Sequence, residues 1–395
     1  MKQFIELIYF VTAILFSSCN SFGQQKDDYS TKIDSLIEAV NPRTFNGVIL
    51  ISQNGKTKYS KAYGFANFDK KTPLKLDNEF EIMSNSKQIT AVLLLREVEK
   101  GNVDLQSPIK KYLPYLTQTW ADTVTVHQLL NHTHGIVDTE KPLVFKAGSD
   151  FKYGNLSNIL LGEIIAFSSK KSYSKMAMEL FKQLKMNHTY CYSKERIQKL
   201  VSGHLNKNNT FIVKDTDSTQ INPHSIPADG IVSTAQDLVI WDNNLHKGKI
   251  LKPETYKLMT TYNVLAQHNV FGKEKVGYGF GIRINDKETP KYIGHTGLGD
   301  GFAAVNLYFP ESDVCLIVLE NQTNDNFEIN YYFGTEIRKI LMKSNLTKKN
   351  HRNISYPSSA AAVVFGVHLS ACSAFRLDRN RRSAKAKSPI IRIGV

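Results

Sequence analysis

Three short groups of residues, far apart in the sequence, could together carry out nucleophilic catalysis. Ser84 and Lys87 lie three residues apart, Tyr153 and Asn155 form the only Tyr-x-Asn among 18 tyrosines, and residues 295–297 are the only His-Thr-Gly. A serine hydroxyl attacks a carbonyl carbon only when a neighbouring base takes its proton. A lysine can be that base where burial or nearby cations lower its pKa. These residue types therefore predict covalent acyl transfer.

The surroundings of Ser84 single it out as the nucleophile. A Ser-x-x-Lys pattern alone carries little weight, because the chain contains five of them. Only the pattern at Ser84 follows an extended segment, residues 80–82, and leads into apolar residues at helical spacing over residues 86–100. Residues three apart on a helix share a face, so the Lys87 ammonium can reach back to the Ser84 hydroxyl. The start of a helix also offers unpaired N–H groups, which favour negative charge on a substrate oxygen.

The elements that must position these groups predict a mixed α/β fold. Two strands, residues 46–52 and 56–67, are joined at Asn54-Gly55, a dipeptide that accepts positive φ. Further strands are predicted at residues 276–285, 291–296, 302–309 and 314–320, and terminal helices at residues 31–40 and 329–342. The section between residues 120 and 237 lacks strong strand patterns and is predicted to contain helices at residues 126–132, 156–167 and 173–184. The pattern indicates a helical insert between two halves of one α/β unit.

In this order, the three motifs resemble those of the serine β-lactamase and penicillin-binding protein superfamily. The chain is most similar to the branch that holds class C β-lactamases, D-Ala-D-Ala carboxypeptidases and related esterases. The similarity extends from about residue 46 to about residue 324 and includes LLNHT at 129–133, LGEII at 161–165 and VSTAQD at 232–237. The resemblance implies an α/β (α+β) fold with an antiparallel sheet flanked by helices and an inserted all-helical subdomain.

The resemblance also implies a role for each site residue. Ser84 would be acylated, Lys87 would accept its proton, and Tyr153 would pass a proton to the leaving group. Substrate contacts would come from four further residues: Asn155, His295, Thr296 and Gly297. The backbone N–H groups of Ser84 and Leu298 would form the oxyanion hole. The expected substrate is a small molecule or peptide, namely a D-Ala-D-Ala-type peptide, a small ester or a β-lactam, and neither a metal nor an organic cofactor is implied.

Some positions depart from the pattern of that superfamily. Asp229 occupies a place that is usually the first glycine of a Gly-Gly pair, and His134 replaces a small residue. His295 stands where typical β-lactamases have lysine. A largely neutral histidine holds a substrate carboxylate less firmly than a charged lysine does. The sequence therefore predicts that β-lactams acylate Ser84 but are turned over slowly, and that the natural substrate is a peptide or an ester.

Two alternatives to a serine hydrolase follow from the sequence. His132 and His134 form a His-x-His pair that could begin the metal site of a metallohydrolase, but no Asp-His pair follows and Asp138 stands alone. We expect instead that His132 is packed or hydrogen-bonded and that His134 lies at the surface. The second alternative is a non-catalytic penicillin-binding-like module that recognises cell-wall peptides or a partner. The intact pair of Ser84 and Lys87 counts against it.

Composition and charge exclude other classes of protein. The 395 residues are 42% hydrophobic and 22% charged, which is ordinary globular usage and unlike a disordered or polytopic membrane protein. Four cysteines without a Cys-x-x-Cys argue against a disulfide framework and a zinc ribbon. The formal charge is +14, but +9 of it lies from residue 348 onward. The body carries only +5, so we expect no nucleic-acid partner.

The two ends of the chain differ from its body. Residues 1–23 have the layout of a secretory signal, with Lys2 before an apolar stretch that is too short to span a bilayer. We expect an exported protein that is periplasmic or, if cut and lipidated at Cys19, a membrane-anchored lipoprotein. Residues 24–345 are predicted to form the hydrolase domain, with an α/β lobe (24–118 and 238–345) and a helical lobe (119–237). Residues 346–395 are predicted to be a disordered basic tail.

Overall fold

The computed structural model describes residues 28–193, 199–214 and 222–348 of the chain. The predicted signal sequence and the predicted tail beyond residue 348 lie outside these ranges. Within the described ranges, no helix has both the length and the apolar character that crossing a membrane requires.

The described residues form helices and strands with defined bounds. The helices are α1 Tyr29–Glu38, α2 Ser86–Glu99, α3 Val126–Leu130, α4 Leu156–Ser169, α5 Tyr173–Leu184, α6 Ile226–Asp229, α7 Ala235–Leu245, α8 Pro253–Met259 and α9 Tyr332–Lys343. The strands of the first half are β1 Gly47–Gln53, β2 Lys56–Tyr63, β3 Phe65–Asn67, β4 Thr72–Pro73, β5 Phe80–Glu81, β6 Tyr190–Cys191, β7 His204–Lys207 and β8 Thr210–Val213. Those of the second half are β9 Ile231–Ser233, β10 Leu265–Ala266, β11 Val276–Tyr278, β12 Arg283–Asn285, β13 Tyr292–Gly299, β14 Phe302–Phe309, β15 Val314–Glu320 and β16 Thr323–Asn324.

An antiparallel sheet forms the centre of the body. Its strand order is β10-β11-β12-β13-β14-β15-β1-β2, so the first strands of the chain pair with the last ones. The predicted hairpin between β1 and β2 is confirmed, with Asn54 and Gly55 at φ values of 52° and 73°. The predicted α/β fold, with an antiparallel sheet flanked by helices, is confirmed as well.

Helices cover both faces of this sheet. Val48 and Leu50 of β1 belong to a hydrophobic cluster that includes α2, whereas Ile49 and Ile51 belong to a second cluster that includes α1 and α9. Successive side chains of a strand point to opposite faces, so an unbroken apolar run predicts a strand buried on both sides. Strand β1 is therefore buried between helices on both faces of the sheet.

The strand predicted at residues 276–285 is a hairpin, which corrects the sequence analysis. Strands β11 and β12 pair antiparallel, and the chain turns between them at Gly281, where φ is 65°. A Cβ atom at this position would lie 2.5 Å from the backbone oxygen of Lys87. Glycine is therefore required both by the turn and by its close approach to α2.

The inserted subdomain is largely helical, as predicted, but it is not all-helical. Strand β9 pairs with β5 on one side and β6 on the other, and β7 pairs with β8. These strands are only two to four residues long, too short for a period of two to be visible in the sequence. The predicted lobe boundary at residues 237 and 238 falls inside α7.

The folded body extends beyond the predicted start of the tail at residue 346. Thr347 is 1% exposed, and its hydroxyl donates to the backbone oxygen of Leu341 at 2.6 Å. The side-chain amide of Gln53 donates to the backbone oxygen of Leu346 at 3.0 Å. These contacts correct the boundary, because residues 346 and 347 pack on the end of α9 and on β1.

Candidate active site

Ser84 lies in a single 3-10 turn, Met83–Asn85, between β5 and α2. Met83 has a φ of 49°, a conformation that residues other than glycine rarely adopt. The Ser86 hydroxyl fixes this turn because it donates to the backbone oxygen of Met83 at 2.6 Å and accepts from the N–H of Ile231 at 3.1 Å. The nucleophile therefore precedes the regular helix instead of opening it.

Lys87 is fully buried beneath Ser84, on the first turn of α2. Its Nζ atom lies 2.9 Å from Ser84 Oγ, 2.8 Å from Asn155 Oδ1 and 2.9 Å from the backbone oxygen of Ala228. Of these three acceptors, only the Ser84 hydroxyl also carries a hydrogen. A neutral Lys87 amine can therefore take a proton only from Ser84 among these partners.

Asp229 fixes the orientation of the Asn155 amide. Asn155 Nδ2 donates to Asp229 Oδ2 at 2.9 Å, which leaves Oδ1 facing Lys87. Burial raises the pKa of Asp229, and the charge of Lys87 together with hydrogen bonds from Ser225 and Asn155 acts in the opposite direction. The residue that replaces the usual glycine thus positions one of the predicted substrate contacts.

A cavity of about 490 Å³ opens beside Ser84. Four of the predicted site residues line it: Ser84, Tyr153, Thr296 and Leu298. Lys87 contacts Ser84 from beneath, and Asn155 contacts Lys87. The structure therefore brings the three sequence motifs together around one space.

Strand β13 forms one wall of this cavity and lies against the turn that carries Ser84. A Cβ atom at Gly297 would lie 2.2 Å from the backbone oxygen of Ile82, so only glycine allows this approach. Thr296 and Leu298 flank Gly297 and both face the cavity. The backbone N–H groups of Ser84 and Leu298, predicted to form the oxyanion hole, belong to residues on the same cavity.

The side chain of His295 does not line the cavity, which corrects its predicted role as a substrate contact. His295 is 1% exposed, because alternation along β13 turns it to the face opposite Thr296. Its Nδ1 lies 2.7 Å from the backbone oxygen of Thr296, and its Nε2 lies 3.2 Å from the hydroxyl of Tyr278. A carbonyl oxygen can only accept, so Nδ1 carries the hydrogen and Nε2 accepts from Tyr278.

A directional chain of hydrogen bonds continues from Tyr278 to helix α4. Because Tyr278 donates its only hydrogen to His295, His132 Nε2 donates to the Tyr278 oxygen at 3.2 Å, and His132 Nδ1 accepts from Ser157 at 3.0 Å. Burial lowers the pKa of both histidines well below its usual value. The Tyr153 ring lies against this chain, 4.7 Å from the His132 ring and 6.0 Å from the His295 ring between centroids.

His134 is buried, contrary to the prediction that it lies at the surface. It is 3% exposed, its Nδ1 accepts from the backbone N–H of Ile136 at 2.9 Å, and burial lowers its pKa to about 4. His132 uses both ring nitrogens in hydrogen bonds, as the packed alternative predicted. In the part of the chain that the structure describes, no three His, Cys, Asp or Glu side chains are grouped to hold a metal ion.

The cationic side of the cavity was not predicted from the sequence: Arg283 and Lys275 line it, and His268 lies beside them. Arg283 is 5% exposed, and its Nε and Nη1 have no hydrogen-bond partner among the described residues. Its guanidinium lies 5.6 Å from the ring centroid of Tyr153 and 5.3 Å from that of Tyr278. A buried charge with unpartnered N–H groups is costly, so this wall favours an anionic group in the cavity. One arginine in a strand pattern gives no signal of such a role.

Known proteins are similar to this chain in sequence and in fold. The family model described as Beta-lactamase matches residues 33–336. Protein flp of Staphylococcus aureus (strain MRSA252) is 25% identical over 363 residues, which cover 84% of this chain and 69% of that protein. Penicillin-binding protein 4* of Bacillus subtilis (strain 168) is 25% identical over 339 residues, which cover 76% of this chain and 73% of the relative.

Solved structures give the same result. The octameric penicillin-binding protein homologue from Pyrococcus abyssi superposes with a TM-score of 0.69 at 26% identity, covering 81% of this chain and 78% of that one. The D-amino acid amidase from Ochrobactrum anthropi SV3, complexed with L-phenylalanine amide, has the same fold, with a TM-score of 0.66 at 23% identity and coverage of 80% and 96%. The family match spans most of the chain and includes all three sequence motifs, and the chain therefore belongs to the Beta-lactamase family.

Proposed function

We propose that this protein is a carboxypeptidase-like or esterase-like serine hydrolase in which Ser84 forms a covalent acyl-enzyme with amide or ester substrates that carry a carboxylate. Membership of the Beta-lactamase family supports serine-hydrolase chemistry through an acyl-enzyme in general terms. The observation that carries the proposal is the 2.9 Å contact between Lys87 Nζ and Ser84 Oγ, in a site where only Ser84 can give that amine a proton.

The reaction proceeds in two halves. Lys87 takes the hydroxyl proton while Ser84 Oγ attacks the substrate carbonyl carbon, and the charge on the carbonyl oxygen faces the N–H groups of Ser84 and Leu298. Tyr153 then relays the proton from Lys87 to the leaving amine or alcohol as the bond to the carbonyl carbon breaks, which leaves Lys87 neutral again. In the second half, water attacks the acyl carbon and gives up a proton through the same two residues. That proton returns to Ser84 Oγ as its bond to the acyl group breaks, and the carboxylic acid product leaves.

Arg283 supports the carboxylate in the proposed substrate. Arg283 lines the cavity together with Ser84 and Thr296, so its positive charge favours a carboxylate on the substrate. Peptides of the D-Ala-D-Ala type, other D-amino-acid peptides and β-lactams carry this group. In this proposal Arg283 has the carboxylate-binding role that was expected of His295. Slow turnover of β-lactams stays a prediction, but it no longer rests on a neutral His295 that faces the carboxylate.

We also propose that the protein is exported, on the strength of the signal-like pattern in residues 1–23. Cleavage before Gln24 would give a periplasmic protein, and cleavage with lipidation at Cys19 a membrane-anchored one. Mass spectrometry of the protein from cell fractions would measure the mature N-terminus, and an uncut chain in the cytoplasm would contradict export.

Covalent labelling tests the proposed chemistry. The full chain is incubated with a fluorescent penicillin and, separately, with p-nitrophenyl acetate, and the adduct mass and p-nitrophenol release are measured. Ser84→Ala should abolish both signals. Ser168→Ala is the matched control, because Ser168 also begins a Ser-x-x-Lys pattern yet donates to the backbone oxygen of Ile165 in α4. Absence of adduct and turnover in the wild-type protein, with peptide binding retained, would favour the non-catalytic module.

A further inference from the structure

The hydroxyl of Thr296 has a half-buried partner, His268, that the mechanism above does not use. His268 Nε2 lies 2.8 Å from Thr296 Oγ1, and both residues line the cavity beside Ser84. His268 precedes a 3-10 turn, Asn269–Phe271, and its ring packs 5.8 Å from the Phe271 ring and 5.1 Å from the Tyr331 ring. The imidazole is therefore held in one orientation.

The contacts of the imidazole determine which atom donates to Thr296. The backbone N–H of Val270 donates to His268 Nδ1 at 3.4 Å, so that nitrogen is an acceptor and the hydrogen of a neutral ring lies on Nε2. Burial and the charge of Arg283 lower the pKa of His268 well below its usual value, which keeps the ring neutral. His268 Nε2 therefore donates to Thr296 Oγ1.

This direction has a consequence for the cavity. A threonine hydroxyl has one hydrogen. Because Thr296 accepts a hydrogen bond from His268, it does not donate this hydrogen to His268. On its other side the Thr296 hydroxyl shares a hydrogen bond with the hydroxyl of Tyr331 and borders the open cavity. The Thr296 hydrogen is therefore available to Tyr331 or to a group in the cavity, and a substrate carboxylate is the stronger acceptor of the two. If Thr296 instead donated to the histidine, only oxygen lone pairs would face the cavity, and these would repel a carboxylate.

We propose that His268 is a positioning residue that keeps Thr296 a hydrogen-bond donor to the substrate carboxylate, beside Arg283. The proposal rests on the proposed function and adds to it the group that sets the preference for carboxylated substrates. His268 does not touch the reacting atoms, so its effect reaches the substrate only through Thr296.

The test compares benzylpenicillin with its methyl ester, which lacks the carboxylate. In the full chain, His268→Leu should slow acylation of Ser84 by benzylpenicillin about tenfold or more and leave acylation by the methyl ester within about twofold. His268→Gln should restore most of the benzylpenicillin rate, because its amide can donate to Thr296. In a Thr296→Val background, His268→Leu should have no further effect, since the hydroxyl that it orients is gone.

Several results would overturn the proposal. Equal slowing of both penicillins, no slowing of either, or full additivity with Thr296→Val would each show that His268 does not act through the Thr296 hydroxyl. These results leave the proposed function intact, because the wild-type protein is still acylated. A wild-type protein that neither reagent acylates would instead remove the proposed function, and this inference with it. Turnover of p-nitrophenyl acetate shows that each variant is folded.

Discussion

The two sides of the cavity differ in how their charged groups are satisfied. On the Ser84 side, the Lys87 amine has three hydrogen-bond partners within 2.9 Å, all supplied by the protein. On the opposite side, the Arg283 guanidinium lies beside the rings of Tyr153 and Tyr278, and two of its nitrogens lack a partner among the described residues. Lys87 therefore has its partners before substrate binds, whereas Arg283 would gain a counter-charge only from the carboxylate of the proposed substrate.

From this difference we expect the Ser84 side to determine the rate of acyl transfer and the Arg283 side to determine which substrates bind. A base that already contacts its nucleophile needs no rearrangement when the reaction begins, which is the condition for efficient proton transfer. A buried cation without partners destabilises the empty protein and strengthens the binding of an anion. Substitutions on the two sides should therefore change different quantities.

The largest effect is expected from Lys87→Met, which removes the base and keeps an unbranched side chain. Acylation of Ser84 by a fluorescent penicillin and by p-nitrophenyl acetate should both fall by about a thousandfold, because loss of general-base catalysis affects every substrate. Stopped-flow measurement of adduct formation checks this. A loss restricted to the carboxylated reagent would assign Lys87 to recognition and break the comparison.

The next largest effect is expected from Arg283→Gln, which should lower the rate of acylation and raise the melting temperature. Acylation by benzylpenicillin should fall about 10- to 100-fold, with little change for the methyl ester, because an interaction between charged groups is lost. The melting temperature should rise, since the variant no longer buries an unpartnered charge in the empty protein. The charge-matched control is Lys275→Gln, because Lys275 is exposed at the same cavity.

Either of two results for Arg283→Gln would contradict this view of the cationic wall. A lower melting temperature would show that the guanidinium stabilises the fold, and an equal rate loss for the methyl ester would show that it does not read the carboxylate. A similar loss in Lys275→Gln would indicate general electrostatic attraction, which added salt screens.

Much of the fold could be predicted from the sequence, because long apolar runs and helical spacing are local signals. Strands β14 and β15 and helix α5 have the predicted bounds. The hairpin at Gly281 and the short strands of the insert were not predicted, since they depend on contacts with α2 and β5. Local pattern specifies elements of several residues, and packing specifies where they bend.

The same division holds for the site. The Ser-x-x-Lys spacing predicted that Lys87 contacts Ser84, and the structure shows this contact. The order of the three motifs predicted that Tyr153 and Thr296 belong to the same site, and both line one cavity. His295 was misassigned because it lies on the face of β13 opposite Thr296, where its ring packs against Tyr153 and Tyr278 and is buried. The roles of Arg283 and His268 could not be predicted. They depend on which groups the folded chain brings next to each side chain, and on which hydrogen-bond partners it leaves absent.

A smaller effect is expected when the chain of hydrogen bonds through His295, Tyr278 and His132 is broken. Tyr278→Phe leaves His132 Nε2 and His295 Nε2 without their partner, at a cost of about 1–3 kcal/mol in the free energy of unfolding. Acylation by benzylpenicillin and by its methyl ester should fall together, about tenfold at most, because both depend on the Tyr153 ring above this chain. Denaturant unfolding and the two acylation rates check this.

His295→Lys tests the same chain against the expectation from sequence. The ammonium would be buried beside the Tyr278 hydroxyl, with Arg283 and Lys87 nearby, so we expect lower stability and no gain in penicillin acylation. A selective gain with benzylpenicillin, at unchanged melting temperature, would restore His295 as the residue that faces the carboxylate.

The smallest effect concerns Glu81, a carboxyl group on the Ser84 side that breaks the pattern of satisfied groups. It is 2% exposed, its Oε2 has no partner among the described residues, and burial, with smaller contributions from Asp300 and Asp229, raises its pKa to about 8. The unfolded chain releases this proton near the ordinary value of 4.5, whereas the folded protein retains it up to about pH 8. The folded state binds more protons within that window, so the stability contributed by Glu81 is lost as the pH rises through it.

Glu81→Gln has no proton to lose, and its melting temperature should therefore rise relative to that of the wild type between about pH 5 and about pH 8. Glu311→Gln, at an exposed carboxylate, should show no such trend. A constant difference between Glu81→Gln and the wild type would mean that Glu81 is ionised in the folded protein, and both sides of the cavity would then contain an unpaired charge.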